Sequence, residues 1–390
     1  MPADVASIVR ASVAAIELPP FDPLNMRAAE LRALGHRVIS LGQAVPNFPP
    51  PPAAIAAARA AVDHPDVHRY ATDPGLPGLR EALAERLAQA SGTPIAADDL
   101  IITAGGNHAF ALALATVADP GDEVILPSPY FTNHQMMVVA QGAIPVEAPV
   151  SPTTWSVLWK DLARWISPRT KAVVLCNPSN PTGSTVGAVA GEEIVRECAA
   201  RGIVVISDET YMRFVYDGMH WSAASAPAWR RNVIVIGTFS KMFGMMGWRV
   251  GYVLADAGVC EQAVKVQDAM IICAPVMSQM VGEAAVREAW DYPLSFHGEL
   301  RQRREVLAAG LGEAGLSWTP TPAGMFGLVR IPGCADSKQL SLDLLEREHV
   351  VTIPGSAFGA SGEGHLRISY GYAGVDDLRE ATSRLKAFLA

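Results

Sequence analysis

Six short apolar runs punctuate the middle of the chain, at 100–103, 123–126, 171–176, 203–207, 233–237 and 250–254. None shows the in-out alternation of a half-exposed strand, so each reads as a strand buried on both faces. Between most of them lie Ala-rich amphipathic stretches of helical length, at 108–118, 131–141 and 188–201. Strands alternating with helices in this way predict a mainly parallel sheet covered by helices. After Asp291 the pattern changes to a long charged helical stretch at 295–314, an apolar segment at 324–330, a helix near 337–348, a strand-like run at 365–369 and a final helix. The expected fold class is therefore α/β: a large lobe at 50–290 with a parallel sheet, and a smaller α+β lobe at 291–390 that the N-terminal segment 1–49 joins. The prolines from Pro49 to Pro52 cannot continue a helix or a central strand, and they mark the crossing between segment and lobe.

Charge narrows the partners. The net charge of −8 and the lack of any basic run disfavour nucleic acid and anionic membrane, which attract clustered Lys and Arg. The opening segment is interrupted by Asp4, Arg10 and Glu17, unlike a signal peptide, and no uncharged apolar run reaches membrane-spanning length. A cytoplasmic protein acting on small molecules is expected. Its five cysteines form no CxxC pair, which fits reduced thiols and neither disulfides nor a metal site.

The chemistry-bearing residues gather where strands end. In the run TFSKMFGMMGWRVGY at 238–252, Thr238, Ser240 and Lys241 follow a strand directly, at the carboxyl edge where open α/β sheets bind ligands. Thr103-Ala-Gly-Gly-Asn-His108 follows another strand and opens a helix, so Gly105 and Gly106 let bare N–H groups approach an anion. Asn177-Pro-Ser-Asn-Pro-Thr-Gly183 makes a rigid loop after a third strand. Asp208, in Ser207-Asp-Glu-Thr-Tyr211, needs a cation or water opposite it, and Arg249 stands at the mouth of the next strand. Together these groups ask for a ligand with a strong anion, a cationic ring nitrogen, a carbon reactive toward an amine and a flat face. Pyridoxal phosphate has all four.

With these motifs in this order, followed by Pro354-Gly-Ser-Ala-Phe-Gly359 and Arg367-Ile-Ser-Tyr370, the chain resembles the fold-type I, class I pyridoxal-phosphate-dependent aminotransferases over nearly its whole length. The resemblance implies that Lys241 carries the cofactor covalently and then moves the α-proton of the substrate. It implies that Asp208 pairs with the ring nitrogen, that Tyr211 and Asn180 bond the ring's phenolic oxygen, and that Phe131 stacks on the ring. The phosphate falls to Gly105, Gly106, Asn107, Thr238, Ser240 and Arg249, with Tyr70 donated from the second subunit of a homodimer. Arg367 is implied to grip the substrate α-carboxylate, helped by Gly42 and Asn180.

The chain departs from many relatives at Val45-Pro-Asn-Phe48 and at Phe326-Gly327, both near the expected substrate mouth. Asn107 is neutral where some relatives that handle dicarboxylic amino acids have a lysine. The expected reaction is transfer of an amino group from an L-amino acid with a neutral, aromatic or longer polar side chain to a 2-oxo acid. Phe21, Phe131 and Phe326 are the expected contacts of that side chain. The same groups also suit an eliminating lyase, a cyclase or an oxidase, since all share the electron sink and the carboxylate clamp.

Overall fold

A computed structural model describes residues 8–390; the start of the 1–49 segment, including Asp4, lies outside the described residues. The central sheet has seven strands in the order β2-β8-β7-β6-β5-β3-β4. These are β2 (Leu100–Thr103), β3 (Glu123–Ser128), β4 (Ile144–Pro149), β5 (Thr170–Cys176), β6 (Val204–Asp208), β7 (Val233–Thr238) and β8 (Gly251–Leu254). All neighbours are parallel except β8, which runs antiparallel to both β2 and β7. Between β7 and β8 the chain makes only one helical turn, Phe239–Met242, and a 3-10 turn, Met246–Trp248. With no full crossover helix to carry it back, the chain re-enters the sheet in the opposite sense.

Successive side chains of a strand point to opposite faces, and here both faces are covered. Val173, Leu175, Val233 and Val235 enter one apolar core, while Ala172, Val174, Ile234 and Ile236 enter another on the far side. That double burial explains the unbroken apolar runs, each Val, Leu or Ile side chain contributing about 1.5–3 kcal/mol on leaving water. The edge strand β4 has one neighbour and a half-wet face, so its sequence lacks such a run. Helices Gly106–Val117 and Ala257–Ile271 pack on one side of the sheet, the second capped by Asp256, whose side chain accepts from the Gly258 N–H. Pro52 is the first residue of the helix Pro52–Ala61, a position where the missing N–H costs nothing.

A separate antiparallel sheet joins β11 (Ile353–Pro354), β12 (His365–Ser369) and β9 (Phe326–Arg330), backed by helices His297–Glu313, Ser337–Glu348 and Val375–Leu389. The N-terminal segment packs onto this part of the molecule. Its strand β1 (Ile39–Ser40) pairs in parallel with β10 (Val350–Val351). Its helix Phe21–Ala33 buries Leu24, Ala28 and Leu31, one stripe at helical spacing, against Leu345, Ile353 and Phe358. No helix among the described residues is long and apolar enough to cross a membrane.

Candidate active site

The carboxyl ends of β5, β6 and β7 surround a cavity of about 210 Å³. One end of it is rich in donors. Gly105 precedes the helix Gly106–Val117 at φ 90°, and a Cβ there would overlap the Arg249 guanidinium, so only glycine lets loop and arginine meet. Arg249 itself sits in the left-handed region at φ 55°, a strain of about 1–2 kcal/mol for a non-glycine residue. Its guanidinium donates to Met246 O (3.0 Å), Ala104 O (3.4 Å) and Ser240 Oγ (3.4 Å). Thr238 Oγ1 accepts from the Ser240 N–H at 3.2 Å and donates to Val250 O at 3.1 Å. Gly106, Asn107, Thr238, Ser240 and Arg249 thus line one wall, at a helix start whose N–H groups favour an anion.

The opposite end holds a buried carboxylate. Asp208 Oδ1 accepts from the Thr210 N–H at 3.0 Å, and Oδ2 lies 3.0 Å from His134 Nε2. Burial pushes the Asp208 carboxyl up, but the bonds and charge of His134 and the Thr210 bonds outweigh it and hold the group below its ordinary range. His134 was not singled out in the sequence. It lies three residues after Phe131 on the start of helix Thr132–Ala140, a spacing that puts both side chains on neighbouring faces, and their rings meet edge-on at 5.3 Å. Phe131, Asn180, Tyr211 and Lys241 also line the cavity, with Thr210 from within the Ser207–Tyr211 motif, Cys176 directly before the Asn177–Gly183 loop, Asn133 and Met246.

Lys241 has its amine pushed down to about 8, first by burial and then by the charges of Arg367 and Arg249. Folded, it therefore releases its proton before the unfolded chain does. Between about pH 8 and the ordinary lysine value of 10.5 the unfolded state binds more protons, so the stability of the ligand-free protein should rise with pH across that window. Urea titrations at about pH 7.5 and about pH 9.5 should show this rise in the wild type and a smaller one in Lys241→Met; equal slopes would contradict the assigned shift.

Arg367, on β12, is buried, and burial pushes its guanidinium down to about 10. Nη1 donates to Asn180 Oδ1 at 3.2 Å and Nη2 donates to Gly42 O, while Nε is buried with no hydrogen-bond partner among the described residues. Three rings surround the guanidinium, those of Phe358 (5.2 Å), Phe21 (5.5 Å) and Phe326 (5.8 Å). This corrects one expectation. Phe326 is fully buried and Phe21 packs on Arg367, so of the three phenylalanines expected to meet a substrate side chain only Phe131 lines the cavity. Gly327 has its own packing reason, since a Cβ there would lie 2.5 Å from the Trp318 ring. Tyr70 is 76% exposed and does not line the cavity of its own chain.

These groups fit pyridoxal phosphate. A helix start with an arginine and two hydroxyls suits a phosphate, a carboxylate held ionised at the far end suits a protonated ring nitrogen, and an amine of lowered pKa stands by the cavity for an aldehyde. Comparison with known proteins agrees. Residues 36–385 match the family model for class I and II aminotransferases. The chain is 35% identical to an aspartate aminotransferase of Pyrococcus abyssi, over 90% of this chain and 92% of that one. It is 34% identical, with the same coverage, to aromatic-amino-acid aminotransferase 2 of Thermococcus litoralis. The crystal structure of an aspartate aminotransferase from Thermotoga maritima superposes with a TM-score of 0.92 at 26% identity, covering 98% of this chain and all of that one. The chain belongs to the class I and II aminotransferase family and is a pyridoxal-phosphate-dependent aminotransferase.

Proposed function

We propose that this aminotransferase takes the amino group from an L-amino acid with a neutral, aromatic or longer polar side chain and passes it to a 2-oxo acid, as a cytoplasmic homodimer. The observation that supports the site assignment best is the arrangement around Lys241: an amine of lowered pKa beside a cavity with Asp208 and His134 at one end and the Arg249 cup at the other. When bound, the cofactor supplies an aldehyde carbon for amines and a ring that accepts the electron pair left when the α-proton departs. Lys241, neutral above about pH 8, would carry the cofactor and afterwards take the α-proton and return it as general base and acid. Asp208, kept ionised by His134 and Thr210, would hold the ring nitrogen protonated. The Tyr211 hydroxyl, which donates to Ala44 O at 3.2 Å, and the Asn180 amide nitrogen are the donors for the phenolic oxygen. Phe131 would cover the ring face, and the backbone of Gly105, Gly106 and Asn107 with Thr238, Ser240 and Arg249 would hold the phosphate.

Arg367 would orient the α-carboxylate. Its planar fork matches a carboxylate through two parallel hydrogen bonds, and its unpaired Nε adds a reason for an anion there. In this reading the residues 50–290 form the cofactor lobe, while 1–49 and 291–390 bring Gly42 and Arg367 to it. The side-chain preference rests on Asn107, which offers an aspartate side chain no charge and so leaves a partly desolvated carboxylate costing a few kcal/mol. Half-reactions with aspartate, phenylalanine, methionine and arginine, with product analysis, test this. A 2-oxo acid formed in equal amount to aminated cofactor supports transamination; aspartate fastest by about tenfold would defeat the side-chain preference.

The dimer rests on Tyr70. Gln267 Nε2 donates to Asp73 O, tying the loop after Tyr70 to the helix Ala257–Ile271, which ends in the exposed Met270 and Ile271. A contact to the phosphate supplied by a second chain would make cofactor affinity depend on assembly. Tyr70→Phe is expected to weaken cofactor binding about tenfold, the scale of one hydrogen bond to a charged group. Sedimentation showing a fully active monomer would rule the assignment out.

A further inference from the structure

We propose that Glu147, on the edge strand β4, is a positioning residue: it fastens the loop 355–362 to the large lobe, and through that loop it sets where Arg367 stands and how well a substrate carboxylate is held. This rests on the reading of Arg367 as the carboxylate clamp. Glu147 Oε1 accepts from Ser128 Oγ at 2.5 Å and from the Ser361 N–H at 3.3 Å, so one oxygen joins the end of β3 to the loop. A second bond runs beside it, from the Tyr130 N–H to Phe358 O at 3.0 Å.

The loop leaves β11 and returns into β12, the strand that carries Arg367, and Ile353 on β11 is the register partner of Arg367. Its two 3-10 turns, Gly355–Phe358 and Ala360–Gly362, close on each other, since a Cβ on Gly355 or on Gly362 would overlap the other's carbonyl oxygen. Packing this tight passes a shift along instead of absorbing it. Between the turns, Gly359 at φ 99° has no room for a side chain: a Cβ there would stand 2.7 Å from the Tyr130 ring, 2.9 Å from Glu147 Oε1 and 3.0 Å from Ser128 Oγ. Phe358, fully buried, reaches the other way, its ring centre 5.2 Å from the Arg367 guanidinium and its edge on Phe21 at 6.3 Å.

The connection on the large-lobe side is as short. Ser128 donates to Glu147, Tyr130 donates to Phe358, and Phe131, next in sequence, lines the cofactor cavity. The stretch 128–131 therefore ties the contact to the wall of the cofactor site, while the loop ties it to the clamp. Arg367 is steered by two uncharged acceptors, Asn180 Oδ1 and Gly42 O, and by three rings, and Phe358 is the ring whose own backbone is bonded to the large lobe.

The α-carboxylate is the same group in substrate and transition state, so loosening its hold should raise KM and spare kcat. Glu147→Ala should raise the KM for phenylalanine as amino donor about tenfold, the scale of one charge-assisted hydrogen bond, with kcat within about threefold of the wild type. Glu147→Gln keeps an acceptor in the same place and should recover most of that loss. Gly359→Ala, which pushes the loop away from its own side, should reproduce the rise in KM. Propanoate binding to the holoenzyme, read by absorbance titration, gives the comparison without turnover. Glu147→Ala should weaken it about tenfold while pyridoxal phosphate affinity stays within about threefold, and in an Arg367→Gln background the same substitution should cost nothing further. Equal losses of propanoate and cofactor affinity, or a full loss persisting in the Arg367→Gln background, would make Glu147 a general structural residue and overturn the proposal. Propanoate binding that falls in Arg367→Gln and not in Glu147→Ala removes the role of Glu147 and leaves the clamp standing. Propanoate binding unchanged in Arg367→Gln itself shows that the clamp reading has failed, and the proposal fails with it.

Discussion

Lys241→Ala is expected to bind pyridoxal phosphate without a covalent link and to turn over about 10⁴-fold more slowly than the wild type, or worse. Two contributions disappear together. In the proposed roles, the amine that would position the cofactor is gone, and so is the base that would take the substrate's α-proton, and the loss of each is large because the geometry is supplied in advance. The lowered pKa of Lys241 is the physical basis of both, since burial with Arg367 and Arg249 nearby makes the neutral amine available near pH 8. Borohydride reduction of the wild-type holoenzyme should fix the cofactor to the peptide that contains Lys241 and leave the alanine variant unlabelled. Label on any other lysine would remove Lys241 from its role. Exogenous small amines added to the variant should restore part of the proton transfer, which a purely structural lysine would not allow.

Asp208→Asn is expected to cost about a hundredfold or more in turnover, equivalent to about 3 kcal/mol of transition-state stabilisation. The substitution keeps the shape and the acceptor for the Thr210 N–H, so folding should survive. What it removes is the charge. An amide cannot hold a proton on the ring nitrogen, and the ring then accepts electrons poorly. His134 Nε2, 3.0 Å from Asp208 Oδ2, helps hold the carboxyl ionised in the wild type. The absorbance of the bound cofactor should shift in the variant, a signature that loss of fold alone would not produce. Turnover within about threefold of the wild type would reduce Asp208 to a structural residue.

Much of this site could be read from local sequence, for a reason particular to the fold. A strand buried on both faces advertises itself as an apolar run, as in Val233-Ile-Val-Ile, and in an open parallel sheet the ligand lies beyond the carboxyl ends of such runs. Asp208, Thr238, Ser240, Lys241 and the Asn177–Gly183 loop each follow a run directly, so knowing the runs located them. The glycines at 105 and 106 were legible because a strand followed within two residues by a Gly-Gly pair that opens a helix leaves backbone N–H groups open.

Other features depended on contacts that no local pattern carries. The sense of β8 is set by how little chain joins it to β7, and an apolar run records burial without recording direction. Strands β1, β10 and β11, two residues each, are too short for any period and exist because partners hold them. His134 reaches Asp208 across 74 residues of sequence, and only the packing of helix Thr132–Ala140 on β3, β4 and the helix Gly106–Val117 makes them neighbours. Phe326 and Phe21 looked available to a substrate because an aromatic residue does not announce what it covers; the fold set both around Arg367. What the sequence alone determined is the alternation of doubly buried strands with helices in the large lobe and which polar groups directly follow those strands, because both follow from burial and backbone geometry within a few residues. What tertiary structure decided is which side chains face one another across the cavity and which space remains beside it, because those depend on the separation and angle of elements far apart in the chain.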